Sequence, residues 1–167
     1  MERKKAVFLD RDGVINHDPG DYTLNLSEFH VLPTAFEAMK SMWDAGYLLV
    51  IITNQACIAK GKTTVEAVEE IHSFLGEEAR KMGFEIAECY YCPHHPDFSQ
   101  CLCRKPGSIM VEKALGRFDL DAERCVMIGD KDRDVQCAEG AGVRGVKMDV
   151  NGDLLSEWNS IYPTLAV

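Results

Sequence analysis

Four aspartates come in two closely spaced pairs, each directly after a short apolar run. Asp10 and Asp12 follow Ala6-Val7-Phe8-Leu9, and Asp130 and Asp134 follow Cys125-Val126-Met127-Ile128-Gly129. Carboxylates brought together repel and raise one another's pKa unless a cation stands between them. Their oxygens are hard ligands, so a partly hydrated Mg2+ is the cation expected. Asp10, the last residue of a buried strand, would be held rigidly enough to act as a nucleophile. Asp12, two residues on, would be free of the strand and able to deliver or remove a proton. Gly13 permits a tight turn and close approach of a ligand. A lone Asp-x-Asp reads as a solvated turn, but a second strand ending in Gly-Asp-x-x-x-Asp argues for a site. Asp130-x-Asp132-x-Asp134 opens like a calcium loop, yet Val135 stands where that loop needs glycine and Ala141 where it needs glutamate.

A second constellation is built on sulfur. Of the seven cysteines, Cys89, Cys92, Cys101 and Cys103 fall within fifteen residues, while Cys57, Cys125 and Cys137 stand alone. An odd number in a chain too long to need staples argues against a disulfide framework and for metal in a reducing compartment. Cys92-x-His94 and Cys101-x-Cys103 offer three thiolates and an imidazole, the closed tetrahedral set of a structural zinc site in a loop over 92–103. Cys89 is a rival, since Cys89-x-x-Cys92 with the later pair would make a four-cysteine site. His94 is preferred because Cys89 falls inside a predicted strand. His95 reads as a surface or rim group, and Cys57 as packing, because no base lies beside it in the motif.

The elements that must position these residues alternate. Buried strands are expected over 6–9, 47–52, 86–91, 125–128 and 145–148. Ala35, Phe36, Met39, Met42 and Trp43 recur at helical spacing before a stop at Gly46. Thr63-x-x-Glu66 reads as a capping box opening a second helix that carries Val65, Val68, Ile71, Leu75 and Met82 to Gly83. A third helix is expected over 109–118 with Ser108 as N-cap, a fourth is marked by Val135, Ala138 and Ala141, and a fifth follows Asp153 with Leu154, Leu155, Trp158 and Ile161. The pattern predicts an α/β fold, a Rossmann-like parallel sheet covered by helices on both faces. Ligands of such sheets gather beyond the carboxyl ends of the strands. Four of the five strands deliver polar residues there: Asp10 to Gly13, Thr53-Asn54-Gln55, Cys92-Pro93-His94 and Asp130 to Asp134.

Composition bounds the reading. The 167 residues predict a single domain over 1–167 with no room for a large cap, so the site should be open. A net charge of −9 argues against a nucleic-acid surface, although a local cluster of cations would still serve a small anion. The apolar run after Met1-Glu2-Arg3-Lys4-Lys5 is too short for a signal peptide, and the stretch over 47–52 is far too short to span a membrane, so the cytoplasm is the expected location. A monomer is the simplest expectation.

The motifs resemble a known family. Phe8-Leu9-Asp10-Arg11-Asp12-Gly13-Val14, Ile52-Thr53-Asn54, Lys105 and Gly129-Asp130 through Asp134 are similar, in order, to the four motifs of haloacid-dehalogenase-like phosphatases. Within that superfamily, Asp10 through Asn16, Thr53-Asn54-Gln55, Cys92-Pro93-His94-His95-Pro96, Cys101-x-Cys103-Arg104-Lys105-Pro106 and Gly129-Asp130-Lys131 resemble the zinc-containing D-glycero-D-manno-heptose 1,7-bisphosphate 7-phosphatases. The likeness runs from residue 5 to about 150. It implies a phosphomonoesterase that acts on a small sugar bisphosphate through an aspartyl-phosphate on Asp10. Asp12 would serve as acid and then base, and Mg2+ would sit on Asp10, the Asp12 carbonyl and Asp130, with Asp134 behind them. Thr53 and Lys105 would hold the phosphoryl oxygens. Arg11, Asp18, Tyr22, Asn54, Gln55, Arg104 and Lys131 would bind phosphate or substrate, although Asn54 and Gln55 also read as helix caps and Lys131 as a surface charge.

Three departures bear on the substrate. Ala56-Cys57-Ile58 stands where the family usually has Ser-Gly-Ile, Asp18-Pro19-Gly20-Asp21-Tyr22 carries an extra residue, and the zinc loop is short, as in histidinol-phosphate phosphatases. A histidinol-phosphate phosphatase is therefore the alternative enzyme. A phospho-acceptor domain has no need of Asp12, and a zinc-stabilised interaction module leaves the aspartates unexplained.

Overall fold

Every strand of the sheet runs in the same direction. A computed structural model describes residues 4–165; the charged start Met1-Glu2-Arg3 lies outside them. Strands β1 (Ala6–Leu9), β2 (Leu48–Asn54), β3 (Glu88–Cys92), β4 (Val126–Gly129) and β5 (Arg144–Lys147) pair in parallel in the order β3-β2-β1-β4-β5. Helices α1 (Ala35–Asp44), α2 (Val65–Lys81), α3 (Ile109–Arg117), α4 (Asp132–Gly140) and α5 (Leu154–Ile161) make up the rest of the framework.

Side chains alternate across a strand, and in β1 both alternating sets are apolar. Val7 and Leu9 face a core shared with α1, α2 and α5, through residues such as Met39, Met42, Ile71, Leu75 and Trp158. Ala6 and Phe8 face a second core with Met110, Val111 and Ala114 of α3 and Cys137 and Ala138 of α4. A strand buried on both faces must run as a continuous apolar segment, which is what Ala6–Leu9 is. Trp158 meets Tyr47 edge-on at 5.4 Å between ring centres, a buried aromatic pair worth about 0.5–1.5 kcal/mol beyond its area.

The local signals fared unevenly. Gly46 and Gly83 do adopt positive φ just past α1 and α2. The cap of α2, however, is Thr64, whose Oγ1 accepts from Ala67 N at 3.1 Å; Thr63 turns away to donate to Leu24 O. Adjacent threonines compete for one cap, and the neighbouring carbonyl decided which was free. Ser108 makes no cap bond and instead donates to Glu112 Oε1. Asp153 caps α5 as expected, accepting from Ser156 N.

What matters for the site is the change of direction at β1. The chain builds outward through β2 and β3, then returns to the other side of β1 with β4 and β5. Loops leaving β1 and β4 therefore diverge and open a crevice beyond their carboxyl ends. No described helix is long and apolar enough to cross a membrane.

Candidate active site

Asp10 is the first residue past β1, and its N–H donates to Ile128 O of β4 at 3.1 Å, which continues the ladder. Its carboxyl is almost wholly buried and is pushed up to about 8, by burial first and then by Asp134 and Asp12, against the pull of Lys105. Lys105 Nζ stands 2.8 Å from Asp10 Oδ1, 2.7 Å from Asp134 Oδ1 and 2.8 Å from Ile52 O. Burial alone would lower this lysine, but the two carboxylates hold it above its ordinary range. Two of its donors bond to Asp10 Oδ1 and Ile52 O, and its charge is also paired with Asp134 Oδ1. The expected clamp on a phosphoryl group would compete with these partners for Lys105.

Asp10, Asp130 and Asp134 each bring a carboxylate oxygen within 4.8 Å of the others. Asp134 is partly occupied: Oδ2 accepts from Lys131 N at 3.0 Å, while Oδ1 has no hydrogen bond among the described residues and meets Lys105 as an ion pair at 2.7 Å. Asp130 is not. Among the described residues neither of its buried oxygens accepts a hydrogen bond, and only the flexible Lys131 ammonium, 3.2 Å from Oδ2, approaches it as a charge. Orphaned buried carboxylate oxygens beside a second carboxylate fit a hard divalent cation. Gly13 leaves the space open: at φ +86° it holds a left-handed conformation, and a Cβ there would stand 2.6 Å from Asp130 Oδ2.

Asp12 has a different environment two residues away. Asn16 Nδ2 donates to its Oδ1 at 2.9 Å, Gln55 Nε2 to its Oδ2 at 2.9 Å, and Arg11 Nη2 to Oδ1 at 3.0 Å. Burial would raise this carboxyl, but Arg11 and the hydrogen bonds outweigh it and hold it below the ordinary carboxylate range. Two carboxylates within one turn are thereby pushed in opposite directions by burial and by their partners; a divalent cation beside Asp10 would favour its ionised form, and an anion beside Asp12 its acid form.

Several expected substrate contacts turn out to serve other side chains. Arg11 is fully buried and faces Asp12 and His72, so its guanidinium does not reach a ligand in the crevice. A buried cation needs acceptors, and Asp12 at the edge of the crevice and His72 behind it supply them. Gln55 is buried between Asp12 and Thr53 Oγ1. Asn54 donates to Lys105 O and accepts from Lys105 N, so its amide splints the backbone that carries the lysine. Neither caps a helix. Asp12, Asp18, Tyr22, Asn54, Arg104 and Lys131 do line one cavity of about 480 Å3. Gly20, Asp21, Ala56, Lys60, Lys62 and Arg133 complete its wall. Five lining cations against three lining aspartates give a positive mouth on a chain of charge −9. Lys60 and Lys62 stack over the Tyr22 ring at 5.1 and 5.2 Å. Sequence reasoning missed these two, because a Lys-Gly-Lys run reads as an ordinary solvated turn; their one signal was their place just past the β2 motif.

The sulfur cluster closes as expected. Cys92 Sγ lies 3.4 Å from His94 Nδ1, 3.6 Å from Cys101 Sγ and 3.2 Å from Cys103 Sγ, and Cys103 Sγ is 3.3 Å from His94 Nδ1. Metal–sulfur bonds of about 2.3 Å arranged tetrahedrally put sulfurs about 3.8 Å apart, so the donor set fits a single ion. Cys89 is not part of it and packs against the core. His95 faces Asp97. Arg104 follows the cluster directly and donates to His94 O at 3.3 Å, which ties the basic rim to this loop.

His72 on α2 was not singled out by sequence either. Burial, then the neighbouring Arg11, pushes it down to about 3. An unfolded histidine takes up its proton near 6.5, so acid favours the unfolded chain between those values. Stability from this group is complete above pH 6.5 and is lost as pH falls toward 3, at up to about 1.4 kcal/mol per pH unit. The wild type should therefore lose more stability between pH 6.5 and 4 than His72→Phe. Parallel melting curves for the two proteins over that range would contradict this.

Comparison with known proteins decides the family. A D-glycero-D-manno-heptose-1,7-bisphosphate 7-phosphatase of Chlorobaculum tepidum is 38% identical over 98% of this chain and 88% of its own length. A D-glycero-beta-D-manno-heptose-1,7-bisphosphate 7-phosphatase of Vibrio cholerae is 40% identical over 98% and 91%. The chain belongs to the heptose-bisphosphate phosphatase family. The HAD-hydrolase-like family model matches residues 102–151, the stretch that holds Lys105, Asp130 and Asp134 of this family member. The crystal structure of D,D-heptose 1,7-bisphosphate phosphatase from B. bronchiseptica, complexed with magnesium and phosphate, is 26% identical with a TM-score of 0.82, over 96% of this chain and 99% of that one.

Proposed function

We propose that the chain is a Mg2+-dependent phosphomonoesterase removing the 7-phosphate of D-glycero-D-manno-heptose 1,7-bisphosphate by way of an aspartyl-phosphate. The observation that carries this reading is the meeting of Asp10, Asp12, Lys105 and Asp130 beside a cavity with five cations. Asp10 would attack phosphorus while the bond from phosphorus to the sugar oxygen breaks, and Asp12 would give that oxygen a proton. The incoming phosphoryl group is anionic and raises the Asp12 carboxyl, which favours the acid form. Water then attacks the aspartyl-phosphate, its proton passes to Asp12, and Asp10 and inorganic phosphate are released.

Asp10, Asp130 and the Asp12 main-chain carbonyl would hold Mg2+, which when bound neutralises charge on the phosphoryl oxygens. Once Asp10 turns to phosphorus, the Lys105 donor facing it is free for a phosphoryl oxygen, and Thr53 Oγ1, which accepts from Gln55, keeps its own proton to donate. Cys92, His94, Cys101 and Cys103 would hold Zn2+, fixing the loop that leads into Arg104 and Lys105. Asp18, Tyr22, Lys60, Lys62, Arg104 and Lys131 would meet the sugar and its second phosphate. A substrate with two phosphates has use for cations both at Lys105 and on the rim, which favours a bisphosphate over histidinol phosphate. A monomeric single-domain enzyme is the simplest form of this reading. Three thiolates that must stay reduced to bind a metal suit the cytoplasm.

A phosphate-release panel tests the substrate, with both anomers of heptose 1,7-bisphosphate, fructose 1,6-bisphosphate and histidinol phosphate. A heptose anomer should give kcat/KM at least about tenfold above histidinol phosphate, which lacks the second phosphate and with it one ionic contact worth about that factor. It should also exceed fructose 1,6-bisphosphate, whose two phosphates are spaced by a different sugar. A preference for histidinol phosphate would overturn the assignment.

A further inference from the structure

Arg11 is a cation sealed from solvent, and its fork is divided between two acceptors. Nε and Nη2 face Asp12, at 3.3 Å to Oδ1 and at 3.0 and 3.3 Å to Oδ1 and Oδ2. Nη1 stands 3.3 Å from Nε2 of His72. Behind the guanidinium lies the Phe29 ring, 5.6 Å away. His72 is packed in turn, with its ring 5.6 Å from that of Tyr91 on β3. Since Arg11 can only donate, His72 must meet it with a bare Nε2 lone pair, the neutral ring with its proton on Nδ1. Neighbours on α2 toward the core, Val68, Ile71 and Leu75, are aliphatic. The outer edge of His72 lines a cavity with Glu69, Ser73 and Glu77, while its Nε2 faces the Arg11 guanidinium.

We propose that His72 is a positioning residue for Asp12: by accepting from Arg11 it fixes the fork that aims the Asp12 carboxyl at the leaving oxygen. The inference rests on Asp12 acting as the proton donor. Without the lone pair at His72, Arg11 Nη1 is a buried donor with no acceptor in that direction, and the fork must rotate to find one. Asn16 and Gln55 would still hold Asp12, so its carboxyl would be misdirected and not released.

Leaving-group dependence separates this role from a structural one. The quantity kcat/KM reports on steps up to formation of the aspartyl-phosphate. A sugar alkoxide needs a proton as it departs, whereas p-nitrophenolate does not. His72→Phe keeps a ring against Tyr91 and loses the acceptor; His72→Gln keeps an acceptor near the Nε2 position and loses the ring. With heptose 1,7-bisphosphate, His72→Phe should lose about tenfold in kcat/KM, mostly in kcat. With p-nitrophenyl phosphate it should stay within about twofold of wild type, and His72→Gln should restore the sugar-phosphate rate. Equal losses on both substrates, or no loss on either, would overturn the inference. If His72→Phe does not fold, His72→Asn carries the test, since its amide oxygen falls short of Arg11 and the same selective loss is expected. A wild type that hydrolyses neither compound would instead defeat the phosphatase reading itself.

Discussion

Asp10→Asn should abolish phosphate release, by at least about 10^3-fold, with the fold intact. An amide oxygen has the shape of the carboxylate it replaces but no charge with which to attack phosphorus. The fold should survive because the carboxyl is already pushed up to about 8 by its burial, so the site accommodates a neutral group there. Lys105 would lose Asp10 yet keep Asp134 at 2.7 Å and Ile52 O at 2.8 Å. Two measurements decide the matter, namely release of inorganic phosphate from the best substrate of the panel and thermal melting of the same sample. Wild-type rates in Asp10→Asn would end the aspartyl-phosphate scheme. Lost activity with a collapsed melting transition would show that Asp10 is needed for folding first.

Cys101→Ser should act on the same reaction from outside the acidic cluster. Burial and the neighbouring thiols push Cys92 up to about 12 in the bare site, so a cation is needed to hold its thiolate. A serine hydroxyl stays protonated near neutral pH and is a poor partner for zinc. The loss is expected to reach several kcal/mol of stability, because structural metal binding is folding free energy. It should also lower kcat/KM by about tenfold or more through Lys105, which lies four residues beyond Cys101 and must be set within a fraction of an ångström. Mg2+ affinity should hold within about threefold, since no carboxylate ligand lies on the loop. Metal content, melting temperature and a Mg2+ titration of activity test all three. Full activity and unchanged melting after rigorous zinc removal would count against the assignment.

The most legible parts of the sequence were those where a local pattern and its consequence lie close together. The strand over 6–9 could be read to the residue, since four consecutive apolar side chains before an aspartate leave little choice for a doubly covered strand. Cys92, His94, Cys101 and Cys103 were legible because their spacing is itself the constraint. Contacts distant along the chain were not. Nothing around Arg11 announces that it turns inward to His72, sixty-one positions away, and nothing in Asn54 shows that its amide will splint Lys105, fifty-one positions away. A buried arginine and an exposed one look alike until the helix that covers them is in place. Thr63 and Thr64 show the same limit at short range, since both satisfy the local rule and a carbonyl at Leu24 breaks the tie.

The basic mouth of the cavity gives the molecule a polarity that its net charge conceals. Five cations and three aspartates line one cavity while the chain as a whole carries −9, so the excess of positive side chains at this rim runs against the balance of the rest of the molecule. Such an uneven placement of charge would favour approach of an anion from the side of the crevice, turning undirected collisions into oriented encounters. Acidic character elsewhere on the surface thus narrows the approach and is no obstacle to an anionic ligand.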